Sequence, residues 1–355
     1  TTIILLVGGL IIFGSAALGV LATNEAKFYA ILETQLIYAL LLGTCALFIG
    51  IIIPYTWYKK YAYIFFGIII FACMLVFVPS LSQYHGGAHR WIDIGSFSIQ
   101  PSEGLKFTFV LVVALWCARF RQYFKYWRYG FLPYAIGAGV VSVLLLLQPD
   151  FGTYFVIMVS SFVVYFVGGA RKKHIYALLL VALFGVITII SVRPYMLERV
   201  KTFIDSAHDP RGASWQLNQS LIAIGSGGLT GRGLGQSVQK FNYLPEPIGD
   251  SIFAVLGEEI GFLGVLFTVI LYGIVAMRGY FISKFSPDQF GRLLAVGITT
   301  IILAQATLNI SSMLGILPLT GVPLPLISHG GTALMTVLFE LGVLLNISKS
   351  TYNII

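Results

Sequence analysis

Charge is what this chain has least of: only 10% of its 355 residues are Asp, Glu, Lys or Arg, and just 14 are acidic. Soluble domains carry about 25% charged residues, so water-soluble globular classes are excluded before any motif is read. Cysteine is also scarce. Cys45, Cys73 and Cys117 stand singly in apolar runs, with no CxxC pair and no histidine at ligand spacing. That pattern excludes a zinc ribbon and a disulfide framework. The opening TTIILLVGGLIIFGSAALGVLA has no basic leader and no small-residue cleavage motif, so it reads as a first membrane helix trimmed at its start rather than a signal peptide. No internal repeat is evident, which weighs against an inverted-repeat transporter.

What is present is apolar: 57% of residues are hydrophobic and mean hydropathy is +0.89. A hydrocarbon core of about 30 Å asks for about 20 apolar residues per helix. Ten segments approach that length, near 1–22, 34–57, 61–80, 102–118, 131–149, 152–170, 174–194, 251–277, 291–313 and 325–347. The expectation is an all-α, polytopic integral membrane protein of about ten transmembrane helices, forming one domain over 1–355. The proline-rich LPLTGVPLPLIS is expected to enter the membrane partway.

Net charge is +8, and the position of the basic residues decides what that means. Lys59 and Lys60, the run Arg119 to Arg128, Arg171 to Lys173, Arg278, Lys284, Arg292 and Lys349 all fall in alternate loops, against the single acid Asp288. This positive-inside bias places both termini in the cytoplasm and explains the charge without nucleic acid. The opposite face carries two long connections, 81–100 and about 195–250. The second is too long for a bare connector. Its SWQLNQSLIAIGSGGL spaces Leu217, Leu221, Ile222 and Ile224 as an interfacial amphipathic helix would.

Ionisable groups at membrane depth are costly unless paired or wetted, so each is a functional candidate. In HRWIDIGSFSIQPSEGLK, Pro101 suits a first helical turn, and Glu103 and Lys106 share one face three residues apart. They make either a neutralised pair or the wall of a polar cavity with a lysine for phosphate. Arg90 and Trp91 precede them, as interfacial anchors or as ligands. Asp250 opens the eighth segment, where an N-cap and a reactive carboxylate are both open readings. Glu258 and Glu259 follow about 12 Å deeper; one is expected to pack and the other to border a wet interior. SHGG, at Ser328 to Gly331, reads as a helix-start break offering backbone N–H groups to an anion, since no GxSxG elbow accompanies it. GSGGLTGRGLG lacks the lysine of a nucleotide loop.

These clusters, in this order, resemble the SEDS family of shape, elongation, division and sporulation proteins. The resemblance rests on RWIDIGSFSIQPSEGLK, LQPDFGT, SWQLNQSLIAIGSGGLTGRGLG, LPEPIGDSIFAVLGEE and LPLISHGGTAL, and QSVQKFNYLPEP and LPLIS place it nearer the division branch than the elongation branch. It implies a membrane glycosyltransferase that polymerises peptidoglycan from lipid II at the outer face of the bacterial cytoplasmic membrane. It implies Asp250 as the essential residue and matches Arg90, Glu103 and Lys106 to family positions; beside these, Trp91, Gln219, Lys240 and Ser328 are expected toward substrate, Lys240 with Arg90 and Lys106 at the departing diphosphate. No cofactor is fixed, and the chemistry leaves room for a divalent cation, magnesium or manganese. The implied partners are the growing glycan, a class B penicillin-binding protein and other division or elongation membrane proteins. One departure is visible: many members carry His-Thr before the aspartate, where this chain has Ile248 and Gly249. A lipid II flippase and a non-catalytic division scaffold are the competing classes.

Overall fold

The structure, a computed structural model, describes residues 1–85, 88–95, 97–192, 203 and 213–352. Residues 195–202 and 204–212 of the 195–250 connection therefore lie outside the described residues. The helices are α1 (Thr2–Leu21), α2 (Glu25–Glu33) continuing through a π-helical stretch Thr34–Leu41 into α3 (Leu42–Ile52), α4 (Tyr55–Leu75), α5 (Pro101–Phe120), the short α6 (Trp127–Gly130), α7 (Leu132–Leu147), α8 (Phe151–Val167) and α9 (Lys172–Val192). They continue with α10 (Ala213–Ser226), α11 (Ile252–Phe285), α12 (Gln289–Met313) and α13 (Gly331–Tyr352). Among the described residues seven spans are long and apolar enough to cross a membrane: α1, α2 through α3, α4, α6 with α7, α11, α12 and α13. The buried α5, the shorter α8 and α9 occupy the remaining three expected positions. The molecule is a helical, multi-pass membrane protein.

Boundaries differ from the hydropathy reading for local reasons. The second span starts at Glu25 because the Asn24 side chain accepts from Lys27 N at 2.9 Å and caps it. It ends before Pro54, and the next helix runs Tyr55–Leu75. The last helix begins only at Gly331, so the prolines before it lie in a non-helical segment. The connection after α4 holds a small antiparallel sheet, β1 (Ser82–His85), β2 (Ala88–Ile94) and β3 (Phe97–Ile99), in that order, with Gln83 opposite Trp91 and Asp93 opposite Ser98.

The chain divides into two compact units. In the unit built of 36–180, 276–304 and 331–355, α5 is the buried core helix. Pro101 opens it, and nearly every residue from Pro101 to Cys117 is buried, so it lacks the polar stripe of a surface helix. A stacked aromatic group, Tyr134 on Tyr165 at 4.7 Å with Trp116 and Phe124 beside them, fills its far end. Helices α3 and α13 approach backbone to backbone, since a Cβ at Gly50 would stand 2.7 Å from Phe339 O. Close packing on small residues is how membrane helices associate without a hydrophobic drive.

The other unit is built of 1–35, 181–275 and 305–330. Helix α10 confirms the helical spacing, but with its sides exchanged relative to a soluble surface helix. Leu221 and Ile222 are exposed while Ser214, Ser220 and Ala223 are buried. Apolar residues outward and small or polar residues inward is the pattern of a helix whose outer face meets lipid.

Candidate active site

Asp250 sits at the end of a turn-rich stretch, two residues before α11. Its backbone is fixed from three directions. Asn309 Nδ2 donates to Asp250 O at 2.7 Å and to Val322 O at 2.8 Å. Ser328 Oγ donates to Gly249 O at 2.7 Å, and His329 N donates to Ile248 O at 2.8 Å. The carboxylate is half-buried, and Oδ1 accepts from Gln216 Nε2 at 3.2 Å, which also reaches Ser251 Oγ at 3.0 Å. A rigid backbone under a partly open carboxylate is what a reacting acid needs. Ser328, expected to touch substrate, is spent on this frame: its Oγ also accepts from Leu324 N at 2.7 Å. Within SHGG, His329 N donates to Ile248 O and Gly330 N to Gln35 Oε1 at 3.4 Å, so these two N–H groups serve the frame.

Glu258 and Glu259 both lie fully inside this unit, so neither borders water as one of them was expected to. Glu258 accepts from Ser237 Oγ at 2.6 Å, Val238 N at 3.1 Å and Gln239 N at 3.2 Å, with the Arg232 guanidinium at 3.4 Å. Glu259 pairs with Lys240 at 2.7 Å and accepts from Ser15 Oγ at 2.6 Å. Lys240 was expected at the departing diphosphate. Its ammonium is instead fully buried, and its three hydrogens go to Glu259, Ser15 Oγ and Gly235 O at 2.7, 2.9 and 2.9 Å. Burial and saturation make it a strut for the outer loop. Gln219 is buried on α10.

The second cluster belongs to the α5 unit. Arg90, on β2, donates from Nε to Gln148 O at 3.2 Å and from Nη2 to Pro149 O at 2.6 Å; Trp91, next to it, is half-buried. Gln148 in turn holds Cys73 O at 2.8 Å. Glu103 and Lys106 form a pair at 2.8 Å, both nearly excluded from solvent, and Thr336 Oγ1 donates to Glu103 Oε2 at 3.2 Å. An unpaired charge at this depth would cost several kcal/mol, so neutralisation is the first thing the pair achieves.

Sequence reasoning missed three residues here. Asp150 caps α8 through Thr153 N at 3.2 Å and accepts from Gln100 and Ser102, each at 3.0 Å, tying the start of α5 to the start of α8. The D-x-x-T spacing carried that signal. Gln216 and Glu340 carried none, because an amide in an amphipathic stretch and one acid in an apolar run look ordinary until partners are known. Among the described residues no group of three His, Cys, Asp or Glu is placed to hold a metal ion.

Fold and clusters together define a polytopic membrane protein with a framed carboxylate and buried charge pairs, the class in which polar groups at membrane depth mark a working site. The chain belongs to the FtsW, RodA and SpoVE family of cell cycle proteins, whose model matches residues 1–353. It is 36% identical over 351 residues to stage V sporulation protein E of Bacillus subtilis strain 168, covering 98% of this chain and 95% of that one. It is 34% identical to the probable peptidoglycan glycosyltransferase FtsW of Geobacter sp. strain M18, covering 98% and 94%. Among solved structures it resembles a chain of a peptidoglycan synthase complex that coordinates polymerization and crosslinking, with TM-score 0.78, 27% identity and coverage of 99% and 97%. It also resembles the rod shape determining protein RodA of Thermus thermophilus, with TM-score 0.69, 27% identity and coverage of 99% and 96%.

Proposed function

We propose that this chain is a peptidoglycan glycosyltransferase, polymerising lipid II into β-1,4-linked glycan at the outer face of the cytoplasmic membrane. The observation that carries the mechanism is Asp250, a half-buried carboxylate on a backbone held by Asn309, Ser328 and His329. A sugar hydroxyl is a poor nucleophile near neutrality. Asp250 takes the proton of the acceptor GlcNAc 4-hydroxyl as that oxygen bonds to C1 of the donor MurNAc. The bond from C1 to the diphosphate oxygen breaks, the electron pair leaves with undecaprenyl diphosphate, and the proton stays on the Asp250 carboxyl. An α-linked donor gives a β-linked product, so one inverting displacement suffices. A glycosidase needs a second carboxyl group to protonate its leaving alkoxide. A diphosphate leaves already ionised and asks only for cations. Arg90 and Lys106 are assigned that task, Lys106 by exchanging Glu103 for a phosphate oxygen.

The lipid part of the substrate has a matching feature in the α5 unit. A groove of about 340 Å³, lined by apolar and aromatic side chains including Ile49, Trp57, Phe65, Ile68, Phe107 and Phe339, runs past Gly104 and Thr336. An isoprenoid chain suits such a lining. A class B penicillin-binding protein is the partner that crosslinks the product.

The test is polymerisation of labelled lipid II by purified protein with its partner. Asp250→Ala should lose about 10² to 10⁴ in rate, the usual worth of a general base, while expressing normally. Wild-type chain synthesis by that variant would remove Asp250 from the mechanism. Leaflet exchange of lipid II without chains would favour the flippase class instead.

A further inference from the structure

Glu340 has no part in the chemistry above. It stands on α13, 1% exposed, and both carboxyl oxygens lack a hydrogen-bond partner among the described residues. A carboxyl group so enclosed is expensive to keep unless something uses it.

Its neighbours follow from the way α13 lies along α5. Thr336 meets Glu103, and the Phe339 and Phe107 rings meet edge to face at 5.2 Å, so the two helices run in the same sense here. Glu340 is one turn past Thr336, and Lys106 is one turn past Glu103, so Glu340 comes level with Lys106. Lys106 and Glu103 are the charged groups that act on it. Helix α4 contributes the buried hydroxyl of Tyr58, whose ring packs on Phe339 and Phe107. Helix α3 carries no charged residue and only an exposed thiol, Cys45, and β3 adds no titratable group.

Two carboxyl groups therefore lie near one ammonium in a site closed to water, one of them paired with it and the other not. With both ionised, the cluster would bury one uncompensated negative charge. We propose that Glu340 is a positioning residue for Lys106: standing neutral beside the Glu103–Lys106 pair, it lets the ammonium turn to a diphosphate while only the Glu103 carboxylate is left behind. The inference rests on the reading that Lys106 serves the diphosphate. Loss of the Glu340 proton sets a second negative charge beside the ammonium and against the ligand. Diphosphate affinity then falls as pH rises.

The test is binding of farnesyl diphosphate to the intact protein in nanodiscs between about pH 6.5 and 9, with each variant compared to wild type at every pH so that ionisation of the probe cancels. Wild-type affinity is expected to fall on the order of tenfold across this range, within the usual scale of coupling between sites. Glu340→Gln, which has no proton to lose, is expected to stay flat. Glu340→Leu is the second variant, should the amide not fold, and is expected to give the same flat profile. A variant profile that keeps the wild-type fall overturns the proposal. Lys106→Ala separates the two layers. If it leaves binding unchanged, the assignment of Lys106 to the diphosphate fails and this inference with it. If it weakens binding while Glu340→Gln follows the wild-type curve, only the role of Glu340 fails.

Discussion

At the scale of residues, the outer-loop unit depends on charges that cancel where water cannot reach them. Lys240 and Glu259 are the clearest case, both fully enclosed and 2.7 Å apart. Removing one member leaves the other charged and unsolvated, and such changes cost about 3–5 kcal/mol, whereas replacing both with apolar groups of similar volume is often neutral. Lys240→Met should therefore lower thermal stability in detergent sharply, and adding Glu259→Leu should restore most of it. A double variant as unstable as the single one would show that Lys240 matters through something other than this pair. Asp150→Ala should also destabilise, by about 1–2 kcal/mol for the lost cap, with the start of α5 loosened because Gln100 and Ser102 lose their acceptor. The sequence made Asp250, Glu103 and Lys106 conspicuous because charge is so rare in it. It gave no hint that Lys240 would be consumed by Glu259 and Ser15, since that pairing joins three segments far apart in the chain.

At the scale of elements, α11 shows what a hydropathy window cannot see. It runs as one apolar helix from Ile252 to Phe285, yet Gly261 has φ 66° and ψ −168°, outside helical space. The interruption lets the glycine-rich loop lie against the open backbone. Arg232 N and Gly233 N reach Glu258 O and Glu259 O, each at 3.0 Å, and Phe262 N and Leu263 N reach Gly228 O and Leu229 O at 2.9 and 3.1 Å. A Cβ at Gly261 would stand 2.2 Å from Gly231 N, in a conformation that L side chains avoid. Gly261→Ala should cost about 1–3 kcal/mol through strain alone, and amide exchange should speed up at residues 228–233 and 262–263. Unchanged protection there would mean that the break in α11 does not hold the loop. Spans were legible because apolar length is a direct consequence of bilayer thickness. The break, the capped start at Asn24 and the sheet over 82–99 depend on single residues and short pairings, which averaging over a window erases.

At the scale of the whole molecule, the remaining question is which way the chain faces, and the charge pattern answers it physically. Basic loops and helix ends resist translocation, so those holding Lys60, Lys125, Lys172 and Lys284 should all stay on the cytoplasmic side. The loop holding Leu229, which is 70% exposed despite being apolar, belongs to the opposite side with Asp250 beyond it in the chain. The test uses single cysteines placed at these positions after Cys45, Cys73 and Cys117 are replaced, with a membrane-impermeant maleimide applied to intact cells whose outer layers have been opened. Cysteine at 229 should label at once, and cysteines at 60, 125, 172 and 284 only after the membrane is permeabilised. The opposite result would turn Asp250 toward the cytoplasm, where no growing glycan could meet it, and the polymerase mechanism would fail however well its geometry is framed.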